Sequence, residues 1–134
     1  MSSALSILQG NFGRVALLDM DRSLVTHAHR ACHVLLKFGG ADTAFDVRGR
    51  RCPLTYQSGV VVNAWEEHAY VHEGGAPQTH ILALYIDPTW LGSIDSQLIS
   101  SGHAQFFTRA TFDIDRNARE KRKAWADACS ASTP

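Results

Sequence analysis

The sequence predicts an all-β domain followed by one or two α-helices, and three observations predict it. Between Arg14 and about Ile86, short apolar or alternating runs are broken by turn residues at intervals of about 8–12 positions. No helical pattern separates successive runs, which excludes a doubly wound α/β fold. After Asp87-Pro88 the apolar period changes from that of a strand to that of a helix.

Residues 1–13 read as an N-terminal arm or a short first strand. Residues 14–87 read as the β-domain, and 88–134 as a helical segment that forms an interface. Strands are predicted at 14–19, 24–37, 44–48, 52–56, 59–63, 68–72 and 79–87. The breaks between them are Asp21-Arg22, Gly39-Gly40, Arg48-Gly49, Ser58-Gly59 and Gly74-Gly75-Ala76-Pro77. Pro88 suits the first turn of a helix. Trp90, Leu91, Ile94, Leu98 and Ile99 then recur at helical spacing until Gly102, which predicts a helix over 89–101. A second helix is predicted over 115–128, charged and carrying Trp125, with a frayed tail over 130–134.

With 134 residues, 45% of them apolar and 19% charged, the composition is that of one globular domain. Thirteen basic and thirteen acidic residues cancel. That balance argues against a nucleic-acid grip, since phosphate contacts demand a basic excess or stripe. Cys32, Cys52 and Cys129 are odd in number and irregular in spacing, which points to a reduced, cytoplasmic protein. No signal peptide and no apolar run of about 20 residues is present, so no membrane association is expected.

Seven histidines occupy positions 27, 29, 33, 68, 72, 80 and 103. His27, His29 and His33 share parity inside the strand predicted over 24–37, so one face would present all three. His68, from a later strand, could complete the cluster in a closed fold. Neutral imidazole is a common metal ligand, so these four residues are candidates to hold Zn, Ni or Fe. The alternative is a wall of imidazoles bonded to backbone carbonyls or to a sugar-like ligand. Cys32 should face away from His33, which argues against a Cys-His nucleophile. Nucleotide-binding and hydrolase-elbow signatures are absent.

His27-Ala28-His29, His33 and Gly40 resemble the first cupin motif, H-x-H-x(3,4)-E-x6-G, with His33 in place of the Glu ligand. The stretch Asn63 to His68 resembles the second motif, P-x-G-x-x-H-x-x-x-N, with Asn63 and Trp65 in place of Pro and Gly and His72 in place of Asn. The order of features, from His27 to Gly40, then Val60 to Tyr70, then Ile81 to Leu91, is similar to the N-terminal ligand-binding and dimerisation domain of AraC-type transcription regulators.

That resemblance implies a cupin-like double-stranded β-barrel (jelly roll) that binds a small-molecule effector and forms a homodimer through the helices after it. His27, His29, His33, Trp65, His68 and Tyr70 are the expected ligand-binding residues. The helix-turn-helix pair of that family has no counterpart in this sequence, so the chain itself would not touch DNA. It would be either part of a longer regulator or a stand-alone sensor. The alternative from another class is a metal-dependent cupin enzyme, a dioxygenase or an isomerase.

Overall fold

A computed structural model describes residues 3–131. The chain forms β1 (Ser3–Gly10), β2 (Gly13–Met20), β3 (Cys32–Gly40), β4 (Thr43–Val47), β5 (Arg50–Leu54), β6 (Ser58–Val62), β7 (His68–Val71) and β8 (Thr79–Ile86). Helix α1 (Pro88–Ile94), a 3₁₀ segment (Ser96–Gly102), β9 (Thr111–Asp113) and α2 (Arg116–Ala131) follow. The strands build a six-stranded sheet ordered β1-β2-β8-β3-β6-β9 and a three-stranded sheet ordered β5-β4-β7. All pairings between these strands are antiparallel.

Alternation along β8 explains how one sheet serves two cores. Ile81 and Ala83 face the small sheet and pack with Leu35, Val60 and Val62 against Phe45, Val47, Leu54 and Tyr70. Leu82 faces the other way and packs with Leu17 and Leu36 against Ile114 and Cys129, so α2 covers the outer surface of the large sheet. Asp87 caps α1 by accepting from the amides of Thr89 and Trp90, with Pro88 in the first turn. Gly13 has a positive φ of 126°, and a Cβ there would lie 1.9 Å from the Tyr85 carbonyl oxygen, so only glycine lets β2 approach β8 at this end.

Several expectations need correction. The two sheets face each other without closing into a hydrogen-bonded barrel. Residues 24–31 are not the start of a strand continuous with 32–37, because β3 begins at Cys32. Of the arm or short first strand read over 1–13, the structure has the strand, β1, which pairs with β2 along its length. The sheet also runs beyond residue 87, because β9 adds to β6. The single helix expected over 89–101 breaks at Asp95, which has an extended backbone (φ −141°) and whose side-chain carboxylate caps the 3₁₀ segment by accepting from the Gln97 amide. Ser130 and Ala131 are still helical, and the rest of the expected frayed tail, residues 132–134, lies outside the described residues. No helix among the described residues is long and apolar enough to cross a membrane.

Candidate metal centre

The segment after β2 crosses from one sheet to the other, and backbone bonds fix where. Leu24 donates its amide to the Tyr70 carbonyl at 3.1 Å. His27 and His68 exchange two amide–carbonyl bonds, each 2.9 Å, which is an antiparallel bridge. The Trp65 amide donates to the His29 carbonyl at 2.7 Å. Residues 24–29 thus run along the edge of the small sheet, beside β7. The chain then enters β3 of the large sheet, and His33 meets the others from the opposite side. The histidines gather because the chain changes sheets between His29 and Cys32, not because they share one strand face.

The rings lie close. His27 and His68 have centroids 4.2 Å apart, His29 and His68 4.9 Å, and His29 and His33 5.2 Å. The ring nitrogens of His27, His29 and His68 can all be found within 4.8 Å of one another. His33 stands outside that trio and stacks on Tyr85 at 4.1 Å.

Each Nδ1 faces a backbone carbonyl: His27 to Val25 at 2.9 Å, His29 to Ala31 at 2.8 Å, His33 to Leu84 at 3.1 Å, and His68 to Glu66 at 2.9 Å. A carbonyl only accepts, so Nδ1 carries the proton and Nε2 carries the lone pair. This is the arrangement that orients imidazole for a metal, with Nδ1–H anchored behind the ligating nitrogen. The Nε2 atoms of His29 and His68 are buried and have no hydrogen-bond partner. Buried polar atoms are rarely left so, and an ion accepting both lone pairs would satisfy them.

Charge state agrees. Burial pushes His68 down to about 4, against the raising effect of its Glu66 carbonyl bond. Burial also lowers His29, and lowers His33 far below its ordinary value. All three are therefore neutral at pH 7, the form that binds metal. Metal–nitrogen bonds of about 2.0–2.1 Å bring donors to within roughly 4 Å of each other. The trio must tighten slightly on binding, and the exposed His27 has room to move.

No family model matches the chain, and no curated protein matches it. Solved structures do. A cupin superfamily protein from Desulfitobacterium hafniense is 15% identical, with a TM-score of 0.54, over 65% of this chain and 79% of that one. A cupin 2 conserved barrel domain protein from Salinispora arenicola is 13% identical, with a TM-score of 0.52, over 74% and 82%. The chain has the cupin fold. Protein plu4264 from Photorhabdus luminescens is similar over 73% of this chain and 83% of its own, at 12% identity and a TM-score of 0.53. At such identities the likeness carries the fold and nothing of the activity.

Within this fold the remaining expected site residues separate. Trp65 is 61% exposed and lines a surface pocket with Arg48, Glu66 and Gln105. Its φ of +61° is left-handed, a conformation glycine adopts without strain, and glycine is the residue of the resembling motif at this position. Tyr70 is 1% exposed and belongs to the core between the sheets, where its hydroxyl meets Nδ1 of His72 at 2.8 Å. Trp65 meets the trio through its backbone amide on the His29 carbonyl.

Two residues passed over in the sequence stand beside the trio instead. Arg14, Tyr85 and His33 are cross-strand partners in one row across β2, β8 and β3. The signal was their register on three adjacent strands, which pairing reveals and sequence spacing does not.

Proposed function

We propose that this cupin binds a divalent metal through Nε2 of His27, His29 and His68 and uses the remaining coordination space to bind a small molecule. The buried, unpartnered Nε2 atoms of His29 and His68 carry this reading. Zn, Ni and Fe all suit imidazole nitrogen. A metal held there would supply a Lewis-acidic position for an oxygen-bearing ligand. Among the described residues no carboxylate joins the trio, so we take binding ahead of turnover as a dioxygenase or isomerase. Calorimetric titration of Ni²⁺ tests the reading. It predicts one ion per chain in the wild type and at least about a hundredfold weaker binding in His29→Ala and His68→Ala. Equal binding by all three proteins would refute it.

A sensory role of the kind found in AraC-type domains is favoured by one link. Arg30, next to the ligating His29, donates to Asp87 at 3.0 Å and to Thr89 Oγ1 at 2.6 Å. The metal loop is thereby tied to the cap of α1, so ligand at the mouth can bias a helix. Ile94, Ile99 and Trp125 are exposed apolar residues on the segments after the sheets, and we propose that a second copy covers them. With Trp65 and Trp125 replaced by Phe, Trp90 fluorescence should respond to Ni²⁺, and Arg30→Ala should abolish the response. An unaltered response in Arg30→Ala would break the proposed link. Sedimentation equilibrium reports the dimer, which a single 14.7 kDa species at micromolar concentration would exclude.

A further inference from the structure

Arg14 is the one cation facing the histidine centre from the large sheet without an acidic partner among the described residues. Its row partner Tyr85 lies between it and His33: the guanidinium sits 4.1 Å from the Tyr85 ring centroid, and the His33 ring stacks on the same residue at 4.1 Å. Stacking uses the flat face of the guanidinium and leaves its N–H edge free. The Nε–H is buried and donates to nothing. A donor left this way is costly, so its retention calls for an acceptor supplied from outside.

The cavity beside it shows where that acceptor would sit. A pocket of about 310 Å³ is lined by Arg14, His29, Tyr85, Gln9 and Asp87. Its only carboxylate, Asp87, is already engaged by Arg30 and by the Thr89 and Trp90 amides. The pocket therefore presents one free cation, an aromatic face and one of the imidazoles of the trio. A second, mostly apolar groove, lined by Phe12, Trp90 and Trp125, shares Arg14 and Tyr85 as its wall.

We propose that Arg14 is the anion-recognition residue of this cupin and that its ligands are small carboxylates with an apolar or aromatic body. The inference rests on the metal-binding reading above for the second contact of the ligand, at the trio. A small turn of the Arg14 side chain brings its buried Nε–H to the pocket, where one carboxylate oxygen accepts from Nε and its neighbour from a terminal nitrogen, the two-pronged geometry that Arg offers and Lys does not. The body of the ligand lies against Tyr85, at the junction of the two cavities.

The test uses benzoate and its neutral amide, benzamide, titrated into Ni²⁺-loaded full chain. The expected result is that benzoate binds at least about tenfold more tightly than benzamide. Arg14→Gln should lose that preference while keeping the Ni²⁺ stoichiometry and the wild-type circular dichroism. Arg14→Lys should keep part of the preference. Equal binding of the acid and the amide by the wild type, or an undiminished preference in Arg14→Gln, would overturn the assignment. Absence of bound Ni²⁺ in the wild type is read separately, from the stoichiometry, and strikes the metal reading. Benzoate preference in the metal-free chain, and its loss in Arg14→Gln, would still support Arg14 as the anion-recognition residue.

Discussion

His27 and His68 hold each other by the backbone: each donates its amide to the other's carbonyl at 2.9 Å, and their rings lie 4.2 Å apart. The pairing that brings the two imidazoles together does not depend on the imidazoles. Replacing either ring should therefore leave the bridge and remove the ligand. His68→Ala is expected to fold with the wild-type spectrum and to lose at least about two orders of magnitude in Zn²⁺ affinity. His72→Ala is the control, because His72 is occupied by the Tyr70 hydroxyl and the Ala76 carbonyl. It should bind Zn²⁺ as the wild type does.

His33 should separate from the trio by experiment. It is 3% exposed, bonds the Leu84 carbonyl and stacks on Tyr85. Its replacement by Ala leaves a buried acceptor and a void, a loss of about 1–3 kcal/mol of stability by urea unfolding. Metal affinity should fall far less than in His29→Ala. If His33→Ala abolished binding as fully as His29→Ala, His33 would be a fourth ligand and the three-histidine assignment would be incorrect.

What the sequence disclosed depended on how local each signal was. Strands β2, β4, β6 and β8 follow from short apolar or alternating runs between turn residues, and α2 from a charged segment carrying Trp125. The crossing at 24–31 was hidden, because no turn residue separates Leu24-Val25 from Cys32 to Leu36 and the stretch between them reads as strand. Only pairing with Tyr70, His68 and Trp65 reveals that the first part belongs to the other sheet. β1 was ambiguous because Leu5, Ile7 and Leu8 are exposed rather than alternating into a core. The same-face argument for His27, His29 and His33 rested on a strand that is not there. Tyr70 shares a face of β7 with His68, but two residues further along the strand its hydroxyl meets His72.

The metal-free protein should lose stability in mild acid. Burial lowers the folded pKa of His68 to about 4, and lowers those of His29 and His33, whereas the unfolded chain titrates near 6.5. Between these values the unfolded state binds more protons than the folded state. The stability from keeping these rings neutral is thus fully present above pH 6.5 and declines as pH falls toward about 4. Urea midpoints measured across that window should drop steadily in the wild type and less steeply in His68→Ala. A flat profile would contradict buried neutral imidazoles.

Metal should shift the melting temperature. An ion that binds only the folded state at a hundredfold excess over its dissociation constant adds about 2.7 kcal/mol. For a domain of this size that is a rise of roughly 5–15 °C, reversed by a chelator. A melting temperature indifferent to Zn²⁺ and Ni²⁺ would exclude a folded-state site of useful affinity.

X-ray absorption at the zinc edge tests the trio most directly. In the Zn²⁺-loaded wild type the account predicts three imidazole nitrogens at about 2.0–2.1 Å. It predicts two in His68→Ala, where zinc is retained only at high concentration. A wild-type spectrum with fewer than three imidazoles, or one unchanged by His68→Ala, would contradict the centre built from His27, His29 and His68.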